Sequence, residues 1–273
     1  MPKRMEQEIK ELYVEELSLL RRIQKFGKEY LCEEADRVEE VSMLLLYRIF
    51  SNLHSTLLLT GFALKKGKIS FFQLPIGIIL RCCFTDCLFA LYIQRVDKKR
   101  AYEELDLRAV EYANSLLERK EVYRDQVKST GKIFDDAFID HMWELTMEDN
   151  FLRLLTFDDN LEELAVTKQS KEQLKEAGFS KLRSIYTKDL IDFLIKQEDV
   201  GTVATRLYHY WKYFSQYEHF SENSQGDVLA SSKEDGNDNI HLPSAIKALS
   251  DGVEEVMKNK GHLFGRETLR LKD

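Results

Sequence analysis

Along most of this chain apolar residues recur at three- and four-residue steps, the spacing that gathers them on one face of a helix. Met5, Ile9, Leu12, Leu19, Ile23, Phe26 and Tyr30 mark a first helix over about 4–31, with Glu16 as the one polar interruption of its seam. A second helix covers roughly 35–64. It runs into Lys65-Lys66-Gly67-Lys68, where basic side chains suit the negative end of the helix dipole and Gly67 suits a C-cap. The third, opened by Pro75 in its first turn and reaching about 96, is patterned differently. Its polar residues Gln73, Arg81, Asp86 and Gln94 fall at about 0°, 80°, 220° and 300° around the axis, at roughly 100° per residue. They form no solvent stripe, so this helix is expected to be enclosed by protein. Arg81 and Asp86, about 140° apart, should each meet a different internal partner.

Further along, a highly charged outer helix is expected over about 102–127 and another over 133–155, followed by short helical pieces over 158–177 in which Ser170 and Gln173 form a capping box. Thr187 caps a helix reaching Gln197, and Gly201 precedes a long aromatic helix over about 202–220. Residues 221–239 turn to Ser, Asn, Asp and Gly and read as a long mobile loop. Pro243 opens a last helix to about 259, with a basic tail behind it. Strand-like alternation is nearly absent, and prolines number three in 273 residues. The expected fold is an all-α, antiparallel helical bundle. It forms a single domain over 1–273 with a central buried helix at about 75–97, and residues 4–31 are available as a packing or dimerisation arm.

Composition narrows the partners. A net charge of −7 argues against generic nucleic-acid binding, whose affinity comes largely from neutralising phosphates. Of the four cysteines, Cys82, Cys83 and Cys87 sit inside the apolar run and Cys32 outside it. Reduced thiols acting as small hydrophobes in a cytoplasmic protein fit that placement. Residues 1–10 are charged throughout, unlike a signal peptide. Residues 41–64 and 69–93 are long enough to span a bilayer, but Arg48, Asn52 and His54 interrupt the first and Arg81 and Asp86 the second. Each central charge costs about 2.5–3.5 kcal/mol on insertion scales, so buried helices of a soluble bundle, without a membrane, are expected.

Three constellations invite chemistry. Arg81 could face an internal cleft and hold a phosphate or carboxylate, or it could complete an interhelical network with Asp86 nearby. The segment Tyr208–Phe220 is the most aromatic of the chain. Its wheel separates an apolar face (Val203, Leu207, Tyr210, Phe214, Tyr217) from a polar one (Thr205, His209, Lys212, Gln216, His219), with Tyr208 and Ser215 at the margin. Core packing explains such a stripe, and so does a pocket lined by Tyr208, Trp211, Ser215 and His219. Arg48, Asn52 and Ser55 form a narrow polar stripe that reads as a solvated edge or, alternatively, a polar pocket. Asp136, Asp140, His141, Glu144 and Glu148 cluster at helical spacing, but no matching second helix completes a metal site, and a charged solvent face is the simpler reading. Ser129-Thr130-Gly131-Lys132 lacks the upstream glycine and trailing hydroxyl of a phosphate loop. Neither a metal nor a cofactor is expected.

Ile79-Leu80-Arg81-Cys82-Cys83-Phe84-Thr85-Asp86 with residues 88–93, and Tyr213-Phe214-Ser215-Gln216-Tyr217-Glu218-His219-Phe220-Ser221, together resemble two helices of a bacterial family of α-helical proteins grouped near the HEPN superfamily of helical bundles. The likeness covers about 40–100 and 200–260. It implies an antiparallel bundle with a polar centre where Arg81, Ser215 and His219 approach one another. Two departures stand out. Thr85 occupies the position of the family's acid, with Asp86 one residue later, and no arginine stands four to six residues before His219 as in HEPN ribonucleases, only Lys212 and Gln216 being upstream at close range. The reading that follows is a binding or regulatory module for a small anionic ligand or nucleotide, held by Arg81, Asp86, Tyr208, Trp211, Ser215 and His219. The alternatives are a metal-independent ribonuclease or hydrolase with His219 as catalytic acid/base, and a purely structural protein that forms a homodimer through residues 4–31.

Overall fold

A computed structural model describes residues 3–29, 36–66, 70–108, 111, 183–215 and 242–268, and among them all regular structure is helical. The helices are α1 (Lys3–Glu29), α2 (Arg37–Lys66), α3 (Ser70–Ile93), α4 (98–108), α5 (Thr187–Ile195), α6 (Gly201–Ser215) and α7 (Leu242–Thr268). The chain divides into two compact units, one of residues 1–96 with 187–273 and one of residues 97–186. The helices expected over 133–155 and 158–177, the acidic cluster on the former and the loop at 221–239 lie outside the described residues.

In the first unit α3 is the centre, packed on α2, α5, α6 and α7. From Asp86 to Ile93 every side chain is buried, as a helix lacking a solvent stripe requires. Only three residues separate α2 from α3, and the two helices pack along each other, which makes them an antiparallel hairpin. The stretch Leu74–Ile93 has the length and apolarity of a membrane span, and most of it is buried against the other helices.

Two helix starts differ from the sequence expectation. Proline was expected to open α3, yet the helix begins at Ser70 and places Pro75 in its second turn. There the ring removes one intrahelical donor, the N–H that would reach the carbonyl of residue 71, and the helix continues past it. The helix also stops at Ile93, short of 96, because the Tyr92 carbonyl accepts from both Arg95 N and Val96 N at 3.0 and 3.1 Å. Before α2, Asp36 Oδ1 accepts from Val38 N and Glu39 N, while Asp36 N donates to Glu39 Oε2 at 3.1 Å. This reciprocal box fixes the first residue as Arg37.

The seam of α1 turns inward. Ile9, Leu12, Leu19 and Ile23 are buried, and the helix packs on α2 and α7. Arg22 bridges to Glu254 and Ser250 of α7. Glu16, the seam's polar interruption, is completely buried against α2. Neither carboxyl oxygen has a well-formed hydrogen bond, since the Thr56 hydroxyl donates to the Leu53 carbonyl. Burial raises its pKa to about 7, opposed only in part by the Thr56 and Thr60 hydroxyls.

Close approach of the other helices depends on two glycines. A Cβ on Gly201 would lie 2.5 Å from the Ile195 carbonyl oxygen, so the tight passage from α5 into α6 excludes one. Beyond α3, Arg95 clamps this passage by donating from Nε to Asp199 Oδ2 at 3.1 Å. On α7, a Cβ on Gly252 would lie 2.7 Å from Cys87 Sγ and 2.8 Å from Leu207 Cδ1. Three helices meet there with no space for a methyl group. Gly252→Ala is therefore expected to destabilise by about 1–3 kcal/mol through overpacking, despite alanine's better helix propensity. A lower urea midpoint measures the loss, and an unchanged or higher midpoint would show that Leu207 yields freely.

The second unit is described over 97–108, 111 and 183–186. Asp97 caps α4, its Oδ1 accepting from Arg100 N at 3.0 Å. The helix thus starts four residues before the expected 102. The reading of an outer, solvated helix fails here, because Ala101 and residues 104–107 are buried. Glu104 tolerates burial by accepting from Ile185 N at 2.7 Å and Arg108 Nε at 3.2 Å.

Candidate functional site

The arginine and aspartate of α3 have different partners. Asp86, 4% exposed, forms an ion pair with Arg48 of α2, whose Nε lies 3.4 Å from Oδ2. Arg48 thus lies on the solvated edge expected of its stripe and also serves an internal charge. Its side chain is mostly exposed, but its guanidinium answers the buried carboxylate. The signal was available, since an enclosed acid needs a cation on a facing helix, and Arg48 is the one arginine in the apolar stretch of α2. Of the same polar stripe, Ser55 is exposed and Asn52 meets the Cys83 thiol.

Arg81 turns the other way, toward α6, and enters a closed circuit of directed hydrogen bonds. Its Nε donates to Ser215 Oγ at 3.0 Å, and that hydroxyl donates to the Trp211 carbonyl at 2.7 Å. The Trp211 indole Nε1 donates to Thr85 Oγ1 at 3.0 Å, and Thr85 donates to the Arg81 carbonyl at 3.0 Å. Each hydroxyl both accepts and donates, so the proton positions reinforce one another. The guanidinium carbon also sits 5.2 Å from the centre of the Trp211 ring, within cation–π range. Tyr208 extends this platform, its ring 5.7 Å from the indole at an interplanar angle of 18°.

The α6 wheel explains why these groups assemble. Ala204, Leu207 and Phe214 are buried, Thr205, His209 and Lys212 are exposed, and Tyr208, Trp211 and Ser215 lie between. Phe84 of α3 fixes the register. Its fully buried ring stacks at 6.0 Å on both Tyr210 and Phe214. With Phe84 and Phe214 in the core, the residues at the margin of α6 face Arg81 and Thr85, which stand one helical turn apart on α3. Thr85 was missed by sequence reasoning, because a lone threonine in an apolar helix ordinarily bonds its own preceding carbonyl and nothing more.

Of the expected site, the structure thus brings Arg81, Trp211, Ser215 and Tyr208 together and gives Asp86 to Arg48. His219 lies outside the described residues. Cys83 and Cys87 are fully buried free thiols, and both are pushed up by burial and then by the neighbouring Asp86 charge, which suits packing and not nucleophilic attack. Among the described residues no group of three or more His, Cys, Asp or Glu side chains is placed to hold a metal ion. Comparison with family profiles, with curated proteins and with solved structures finds no match.

Proposed function

We propose that this chain is a soluble, cytoplasmic binding or regulatory module whose α3–α6 margin takes a small anionic ligand, a nucleotide or another phosphate or carboxylate compound. The observation that supports this reading is the circuit that orients Arg81. Ser215 engages Nε and the indole ring lies against the guanidinium, so the cation is held in one orientation at this margin, where it would attract an anion. Preorientation of this kind removes part of the ordering cost of binding. The stacked Tyr208 and Trp211 rings offer the adjoining aromatic surface that a nucleobase would use. His219 would add a donor whose charge changes near neutral pH.

The test is a thermal-shift series with nucleoside mono-, di- and triphosphates and with inorganic phosphate. A ligand at a hundred times its Kd should add about 2.7 kcal/mol to the folded state and raise Tm accordingly. Arg81→Met should abolish that rise while leaving a cooperative transition. A rise of equal size in the Arg81→Met protein, or no rise with any of these compounds, would overturn the proposal. Incubation of RNA with the protein and with its His219→Ala variant separates binding from turnover; cleavage lost with the histidine would replace the binding reading by the hydrolytic one.

A further inference from the structure

The outward face of α2 is apolar in a pattern that binding at Arg81 does not use. Tyr47 is 66% exposed and Leu58 65%, with Leu44 and Phe62 also exposed on the same side. At roughly 100° per residue these four side chains fall within about 60° of one another, opposite the buried row of Leu45, Ile49, Leu53, Thr56 and Thr60. The face is not uniform along its length. Exposed Glu40 stands at its start, apolar Leu44 and Tyr47 follow, with exposed Arg48 at their edge beside Asp86, then polar Ser51, His54 and Ser55, then apolar Leu58 and Phe62, and exposed Lys65 and Lys66 close it.

Apart from Arg48, whose charge answers Asp86 of its own chain, that order reads the same from either end, with the terminal charges inverted. Turned end for end about a point near residue 53, the face places, to within one residue, Leu44 opposite Phe62, Tyr47 opposite Leu58, and Ser51 opposite His54 and Ser55. Glu40 then lies opposite Lys65 and Lys66. Apolar meets apolar, polar meets polar and acid meets base over about 39 Å of helix. A face complementary to its own inverted copy is what a two-fold symmetric, isologous contact requires.

We propose that α2 docks antiparallel on α2 of a second copy of this chain, Leu44, Tyr47, Leu58 and Phe62 forming its apolar centres and Glu40 with Lys65 and Lys66 fixing its direction. Ile9, Leu12, Leu19 and Ile23 of the α1 seam are buried, whereas Leu44, Tyr47, Leu58 and Phe62 are the exposed large apolar side chains of α2 among the described residues. A single helix pair is a small interface, so the dimer is expected to form and dissociate with concentration, and its affinity to weaken with salt through the terminal charges.

Sedimentation equilibrium of the full chain over a wide concentration range, at low and high salt, tests this directly. Wild type should pass from monomer to dimer, and Leu58→Glu should stay monomeric with an unaltered helical circular-dichroism spectrum. Glu40→Lys alone should weaken dimerisation about tenfold at low salt by setting it against Lys65 and Lys66, and adding Lys65→Glu and Lys66→Glu should restore it. The triple variant reverses favourable charge at both ends of α2, so any effect through the helix dipole would worsen where dimerisation recovers. A wild type monomeric at every concentration, a dimer indifferent to Leu58→Glu, or no recovery in the triple variant would each overturn the proposal. So would a monomer that associates with anionic phospholipid vesicles through the same face.

Discussion

Replacing Phe84 with alanine should lower the stability of this bundle by about 3–5 kcal/mol, the range found when a buried phenylalanine is truncated. The ring is fully buried at the crossing of α3 and α6, with Tyr210 and Phe214 stacked on it at 6.0 Å. Two effects combine. Transfer of the lost apolar area is forgone, and the neighbouring rings are both anchored from α6 and cannot close the void together. The urea midpoint should fall with little change in slope, whereas Phe84→Leu, which keeps most of the volume, should cost far less. A loss below about 1 kcal/mol for the alanine variant would mean that α6 settles onto α3 without this ring. The register that brings Ser215 and Trp211 to Arg81 would then need another cause.

Glu16→Gln should stabilise the protein in alkaline solution and do nearly nothing for it in acid. Folding raises this carboxyl from an ordinary value of 4.5 to about 7, because the α1–α2 contact excludes water and supplies little in return. Between those values the native chain holds the proton that the unfolded chain has released, so stability is full below pH 4.5, declines as pH rises toward 7, and is constant beyond. The decline amounts to roughly 3 kcal/mol, from 1.36 kcal/mol for each unit of pKa. Glutamine cannot ionise and escapes it. Any cost of burying the amide is the same at all pH, so the diagnostic quantity is the pH dependence of the difference between the two proteins. A difference that stays level from acid to alkaline solution would show that Glu16 reaches solvent in the native state.

The parts of this architecture that could be read in advance were those set by one helix alone. The lack of a polar stripe on 75–93 foretold an enclosed α3, and the wheel of 202–215 placed Leu207 and Phe214 inside and Thr205, His209 and Lys212 outside, though Val203 and Tyr210 are only half-buried and Ala204 joins the core. Features that depend on a facing helix were harder to see. Asp86 demanded a cation, but nothing within α3 named Arg48. Thr85 became informative only when Trp211 was seen donating to it. Helix starts failed where proline was taken as the stronger signal, while the acids at Asp36 and Asp97, each followed by backbone donors within three residues, set the true boundaries. Glu104 looked solvated because the acceptor role it plays for Ile185 comes from a segment about eighty residues away.

The three described cysteines give the molecule a chemical clock. Cys82 is partly open to solvent, while Cys83 and Cys87, its neighbours on the same helix, are sealed. Of these three, an alkylating reagent therefore finds Cys82 in the resting molecule, Cys87 only when α7 parts from α3 and Gly252 lifts off it, and Cys83 only when α2 parts from α3 at Asn52. The rate at which those two are consumed is the frequency with which the centre of this protein breathes.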